Sequence, residues 1–418
     1  MPSGPTRTLH RVLVTGLGAV TPIGNTVPEF WEGLHTGRNG IGRVQQFDPE
    51  GLLVQIAGEV KHFDPETVLD RKTVRRTGRF AQFATAAGME ALADAGITVS
   101  EENRDEIGVV MATSGDVFNI GPEWVTYLER GSAKVDPFII TRMGQHMGSA
   151  RLAREIGARG PNTTINTACA SGTDALGHAL SLIRLGHARV VLAGGAEAMV
   201  TPLALSSMGR LGALSKNNED PEHASRPFDA KRDGFILGEG AGVLTLESEE
   251  SALARGARVY AELVGVGWSF DATDDTAPDA HGQSLAMTRA MRDGGIDPSE
   301  IDYINAHGTS TPYNDRTETE AIKIALGVAP AQRVRISSTK SMTGHLAAGA
   351  GGIEAVASVL ALEHQCVPPT INYEVPDPDC DLDVTPNEAR AAELRVVLSN
   401  SFGLGGQNSS AIFRKYEG

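Results

Sequence analysis

Four short segments of the chain combine a nucleophile, acid–base groups and small residues in ways that suit acyl chemistry. Cys169 stands in NTACASG, after a β-branched run and before a helical stretch, so its sulfur is expected at a helix N-terminus, where the peptide dipoles stabilise a thiolate. Cysteine is often only a small buried hydrophobe. The flanking Ala168, Ala170, Ser171 and Gly172 exceed that need, because they leave room for a ligand and let backbone approach closely. His307 lies in YINAHGTSTPYND, where a strand runs into a loop, the usual place for a functional side chain in an open α/β sheet. Thr309, Ser310 and Thr311 give that loop a polar lip. Lys340 and His345 share STKSMTGHLAAGAGGIEA, and a cation five residues from a histidine among small residues suits charge tuning. The loop SNSFGLGGQN, with Gly403, Gly405 and Gly406, can bring N–H groups against a ligand, as an oxyanion hole requires.

Positioning these segments falls to alternating elements. RVLVTG from Arg11, IGVVMATSG from Ile107 and RVVLAGG from Arg189 read as buried strands. FAQFATAAGMEALADAG from Phe80 and TDALGHALSLIRLGHA from Thr173 read as helices that stop at a glycine. The alternation implies an α/β layered fold. The two parts of the chain echo each other in order: RVVLAGG at Arg189 is answered by RVVLSNSFG at Arg395, the Cys169 segment by the Lys340 segment, and GAGVLTLE at Gly240 by NSSAIFRKY at Asn408. The expected division is residues 1–255, carrying Cys169, and residues 256–418, carrying His307, Lys340 and His345.

Composition narrows the partners. A net charge of −15 over 418 residues argues against nucleic acid or an anionic membrane surface. Three cysteines, Cys169, Cys366 and Cys380, are too few and too irregularly spaced for a disulfide framework or a metal site, so no metal and a reducing cytoplasm are expected. The N-terminal residues lack the apolar core of a signal peptide, and no stretch reaches the ~18 apolar residues of a spanning helix. GLGAVTPIG from Gly16 follows a strand but lacks the third glycine and the acidic partner of a dinucleotide site.

Taken together, Cys169, His307, Lys340, His345 and the glycine loop resemble the β-ketoacyl-acyl-carrier-protein synthases, specifically the type II elongating enzymes. The resemblance runs from VTGLGAVTPIG through ASRPFDAKRDGFILGEGAGVL at Ala224 and PPTINYEVPDPDCDLD at Pro368 to SNSFGLGG. It implies a thiolase-like fold, two similar βαβαβαββ halves in a five-layered α-β-α-β-α arrangement, usually as a homodimer. It implies that Cys169 accepts an acyl group from an acyl carrier protein and yields it to a carbanion formed by decarboxylation of malonyl carrier protein. Backbone N–H groups of Cys169 and Leu404 would form the oxyanion hole, His307 and His345 would hold the enolate oxygen, and Lys340 would set their charge. By the same resemblance Glu354, Asp315 and Glu318 support these groups, and Thr309 and Thr311 bind the phosphopantetheine arm. That arm arrives on the carrier protein, so no free cofactor is expected.

RKTVRRTGR supplies Arg71, Lys72, Arg75, Arg76 and Arg79 in an otherwise acidic chain, with Lys72, Arg75 and Arg76 the expected docking residues for an acidic carrier. The chain departs from the family in having Leu404 where phenylalanine is typical and SGDVFNIG where a glycine-rich turn is typical. Asp116, Phe118, Phe402 and Leu404 are therefore expected to gate the acyl pocket. These departures keep open a ketosynthase of a type II polyketide or polyene pathway, paired with a chain-length subunit as a heterodimer. A silent chain-length subunit would lack the nucleophile, and a degradative thiolase would need a late active-site cysteine, which neither HQCVPP nor DPDCDL offers. The resemblance also allows a structural monovalent cation near Asn305, Glu354, Ser399 and Asn400.

Overall fold

The computed structural model describes residues 9–418. Ten strands build its framework: β1 (Val12–Val20), β2 (Ile107–Ala112), β3 (Asn162–Ile165), β4 (Val190–Glu197), β5 (Gly240–Ser248), β6 (Ala261–Phe270), β7 (Tyr303–Asn305), β8 (Arg335–Ser337), β9 (Val396–Phe402) and β10 (Gln407–Arg414). Seven helices matter to the argument: α1 (Arg79–Asp94), α2 (Gly121–Arg130), α3 (Met147–Ile156), α4 (Ser171–Arg184), α5 (Ala280–Gly294), α6 (Pro312–Leu326) and α7 (Ala350–His364).

The strands fall into two sets of five with one topology. The order is β3-β2-β4-β5-β1 in the first and β8-β7-β9-β10-β6 in the second. In each, the first three are parallel and the last two antiparallel. The sets meet edge to edge only at Leu13↔Glu262 and Val14↔Ala261. The segments that echo each other in sequence occupy equivalent places: β4 and β9, β5 and β10, and the junctions after β3 and β8. We propose the boundary between the halves at residues 255–256, in the connection between β5 and β6.

Helices α4 and α7 each touch strands of both halves, while α1 packs on β1 and β5, and α5 packs on β6 and β10. The result is the five-layered, thiolase-like α-β-α-β-α arrangement. Its central layer is the most apolar: from Ala350 to Leu362 every residue of α7 is buried, including Glu354, as a helix covered on both sides requires. The glycines of GLGAV serve packing. A Cβ at Gly16 or Gly18 would come within 2.1 or 1.8 Å of α1 backbone oxygens, and one at Gly265 or Gly267 within 2.5 or 2.2 Å of α5 oxygens in the equivalent place.

The outer edges of the two sets differ. Beyond β8 the chain itself covers the sheet, with Ile336 N–H donating to Asp383 C=O at 2.8 Å. Beyond β3, no backbone of the described residues bonds to the edge, and Asn162–Ile165 are partly exposed. Between β2 and α3 lies an inserted segment that carries α2, whose Trp124 and Leu128 are 60% and 65% exposed. No helix among the described residues is long and apolar enough to cross a membrane.

Candidate active site

The nucleophile sits on a strained turn. Ala168, just before Cys169, has φ +51°, a left-handed conformation costing a non-glycine residue about 1 kcal/mol or more. Ser171 holds the turn closed: its hydroxyl accepts from Thr167 N–H at 2.7 Å and donates to Ala168 C=O at 2.5 Å. Helix α4 then starts at Ser171, leaving Cys169 just ahead of it and half-buried. The small residues after the cysteine do not make space for a ligand. Gly172 crosses α7 so closely that a Cβ would come within 2.5 Å of Gly352 N. That contact locks the nucleophile helix against the helix that follows His345.

His307 and His345 face each other with ring centroids 5.3 Å apart and planes at 85°. Phe402 packs on His307 at 5.6 Å and Phe235 on His345 at 5.3 Å. His307 Nδ1 and both ring nitrogens of His345 are buried with no hydrogen-bond partner in the described chain, so they are available to a substrate. Burial drives both imidazoles well below their ordinary pKa, and the Lys340 charge pushes the same way. Both rings are therefore neutral near pH 7.

Lys340, which reads as surface from its residue type, is only 2% exposed and its Nζ donates to Glu354 Oε1. Burial raises the Glu354 carboxyl to about 7 despite this partner. Glu318 accepts from the N–H groups of His307 and Gly308 at 2.8 and 2.7 Å and from Asn400 Nδ2 at 3.1 Å, fixing the histidine loop from beneath. Asp315 does the same one turn earlier, accepting from Phe228 N–H at 2.8 Å and Ser310 N–H at 3.2 Å. Phe228 and Ser310 have φ +66° and +68°, so Asp315 holds the backbone in costly conformations around the site. Thr309 and Thr311 share a hydrogen bond of 2.9 Å, and Thr311 also caps α6 by accepting from Asn314 N–H at 3.2 Å.

The two halves meet at Cys169. Gly403 lies against the nucleophile turn, where a Cβ would come within 2.8 Å of Thr167 O, and the next residue, Leu404, directs its N–H at the sulfur. Burial pushes the Cys169 thiol above its ordinary value; the Leu404 N–H and the Lys340 charge only partly offset this. The expected thiolate is thus corrected. With the thiol's pKa raised, the resting group is a thiol that must lose its proton during reaction.

The remaining expected residues are placed as follows. Asp116 is buried beside Asn119, faces Glu197 and feels Arg142; burial raises its pKa. Phe118 packs, as Phe235 and Ala347 do, against the apolar cluster that contains Leu205 and Ile236. Leu404 is 54% exposed and Phe402 buried. Lys72, Arg75 and Arg76 border an open recess of about 500 Å³ together with Arg71 and Phe138, and the Arg76 guanidinium lies 4.0 Å over the Phe138 ring. Arg79 leaves this cluster, because it pairs with buried Glu239 at 2.7 Å. Phe235, in the RDGFILGEG segment, went unassigned on sequence grounds although its residue type and glycine-rich setting are those of a site wall.

Buried Asn305 and Ser399 stand in register on β7 and β9. Asn305 Oδ1, Ser399 Oγ and Glu354 Oε2 lack hydrogen-bond partners and fit a monovalent cation, whereas the Asn400 side-chain oxygen, also expected there, is already taken by the Ser410 hydroxyl at 2.8 Å. Among the described residues no group of three or more His, Cys, Asp or Glu is arranged to hold a metal ion.

Residues 9–252 match the family model "Beta-ketoacyl synthase, N-terminal domain" and residues 260–374 match "Beta-ketoacyl synthase, C-terminal domain". The chain belongs to the β-ketoacyl synthase family. It is 50% identical over 410 residues to 3-oxoacyl-[acyl-carrier-protein] synthase 2 of Synechocystis sp., covering 97% of this chain and 98% of the relative. Among solved structures it is similar to the ishigamide ketosynthase/chain length factor, with TM-score 0.90 and 39% identity over 98% of this chain and 100% of that one. A type II polyketide synthase acyl-carrier protein in complex with its ketosynthase bound to the hexaketide is also similar, with TM-score 0.85 and 37% identity over 98% and 100%. As a β-ketoacyl synthase the chain is an acyltransferase of the condensing type.

Proposed function

We propose that this β-ketoacyl synthase elongates acyl chains of fatty-acid synthesis by decarboxylative condensation with malonyl carrier protein. The observation that carries the reading is Cys169 with the Leu404 N–H at its sulfur, beside a facing pair of neutral, unpartnered histidines that feels the same Lys340 charge as the thiol. In the first half-reaction Cys169 gives up its proton and attacks the acyl thioester. The tetrahedral oxygen is held by the N–H groups of Cys169 and Leu404, and the carrier leaves as its thiol. In the second, the malonyl carboxylate leaves as CO2 and its bonding pair forms an enolate, whose oxygen takes hydrogen bonds from His307 and His345. The carbanion then attacks the Cys169 acyl carbonyl and expels the thiolate. Neutral imidazoles suit this step, since each donates one N–H without needing to be charged. Lys340 keeps them neutral, and Glu354 offsets its charge.

Thr309 and Thr311 are assigned to the phosphopantetheine arm, which the carrier protein brings, and Asp116, Phe118, Phe402 and Leu404 to the acyl pocket. Lys72, Arg75 and Arg76, among the described residues free of carboxylate partners within 4.0 Å, are assigned to the acidic carrier. The bare β3 edge and the apolar residues of α2 support a dimer. A cation held by Asn305, Ser399 and Glu354 would supply positive charge behind Lys340. A free nucleophilic thiol suits a reducing cytoplasm.

Intact-mass analysis after incubation with acyl carrier proteins of different chain length tests the reading. Loading that vanishes in Cys169→Ala, and release of a product two carbons longer on adding malonyl carrier, are expected. A preference for polyketide intermediates over simple acyl chains would move the enzyme to a type II polyketide pathway, and no loading from any carrier would overturn the assignment.

A further inference from the structure

Asp174 lies in the first turn of α4, five residues after Cys169, and takes no part in the chemistry above. Its carboxyl is largely withdrawn from water, and burial raises its pKa. Oδ2 accepts a hydrogen bond from the Thr167 hydroxyl, on the residue that precedes the strained Ala168. The Ser409 hydroxyl comes within hydrogen-bonding reach of the same carboxyl, although Oδ1 gains no fully formed bond. Ser409 is on β10 and Trp268, whose side chain also reaches the carboxyl, is on β6; these two residues pair directly in register. Both belong to the half that supplies Leu404. A largely buried carboxyl that accepts from the nucleophile turn and also reaches two paired strands of the opposite half bridges the two halves.

We infer that Asp174 is a positioning residue for the oxyanion hole: through Thr167 it fixes the Cys169 turn of one half against the β6 and β10 strands of the other. The inference rests on the condensing reaction proposed above. Two backbone donors on different halves must converge on one oxygen, and errors of a few tenths of an ångström weaken both. The Thr167–Asp174 bond is a side-chain tie from the turn to a residue that also touches the opposite half. His307 and His345 do not depend on it, so decarboxylation should be spared.

The test compares two partial reactions in wild type, Asp174→Ala, Asp174→Asn and Thr167→Val: the rate of Cys169 acylation from acyl carrier protein by intact mass, and the release of CO2 from malonyl carrier protein. Asp174→Ala should slow acylation by about 10–100-fold, short of the 10²–10³-fold cost of deleting an oxyanion donor, with CO2 release within about threefold of wild type. Asp174→Asn keeps an acceptor for Thr167 and should recover most of the rate. Thr167→Val should slow acylation like Asp174→Ala, and the double variant should be no slower than either single one. Equal losses in both partial reactions, or additive effects of the two substitutions, would overturn the inference. Because Asp174→Ala could fail to fold, Thr167→Val carries the test independently, with Asp174→Asn as the variant that should retain the rate. A wild type that does not acylate would instead overturn the proposed function.

Discussion

The junctions after β3 and after β8 stand at the same place in two copies of one topology, yet they do opposite work. The first presents Cys169, half-buried, on a strained turn at an edge the chain leaves bare. The second buries Lys340 and its partner Glu354 completely, behind an edge covered by residues near Asp383. The scaffold provides a strand-to-helix turn that opens toward the seam between the halves. What the chain lays over that turn decides whether it holds a reactive group or a charge that tunes one from behind.

The largest effects should come from separating these roles. Cys169→Ala should abolish acyl loading by intact mass. His345→Ala should still load but lose about 10²–10⁴-fold in condensation, read as product formed per loaded enzyme. Stability should show the reverse asymmetry. Lys340→Met leaves Glu354 as an unpaired buried carboxyl and is expected to cost about 3–5 kcal/mol in urea unfolding, whereas Cys169→Ala at the half-buried junction should change stability by about 1 kcal/mol or less.

A pH series sharpens the comparison further. Because the Cys169 pKa is raised, the thiolate fraction grows as pH rises, so alkylation by iodoacetamide should accelerate roughly tenfold per unit between pH 7 and 9 with no plateau. Lys340→Met removes a charge that favours the thiolate and should slow alkylation at every pH in that range. A plateau below pH 8 would mean a thiolate at rest and would restore the helix-terminus picture. The smallest effect is expected at the bare edge: Thr163→Lys should reduce the dimer fraction in light scattering while leaving the fold intact, since edge lysines discourage strand pairing.

The duplicated topology was legible because strands announce themselves by β-branched runs, and the paired segments RVVLAGG and RVVLSNSFG do occupy equivalent strands. The catalytic segments were legible through residue type beside glycine. What lay hidden was desolvation, which depends on what packs over a residue. It turned the expected Cys169 thiolate into a thiol. Pairing was equally hidden: Arg79 reads like its neighbours in RKTVRRTGR, and only its meeting with Glu239, far along the chain, removes it from the surface cluster. Asp174 carried no signal beyond its spacing from the nucleophile.

Cys169 and Leu404 are separated by more than half the chain, and α4 finds its partner α7 only after residue 350 has been made. Such long-range pairing slows folding. During synthesis the first half emerges with its nucleophile helix uncovered and its Gly172 crossing unmade. The thiol therefore exists for some seconds before the groups that give it purpose, a period in which aggregation or premature modification competes with maturation.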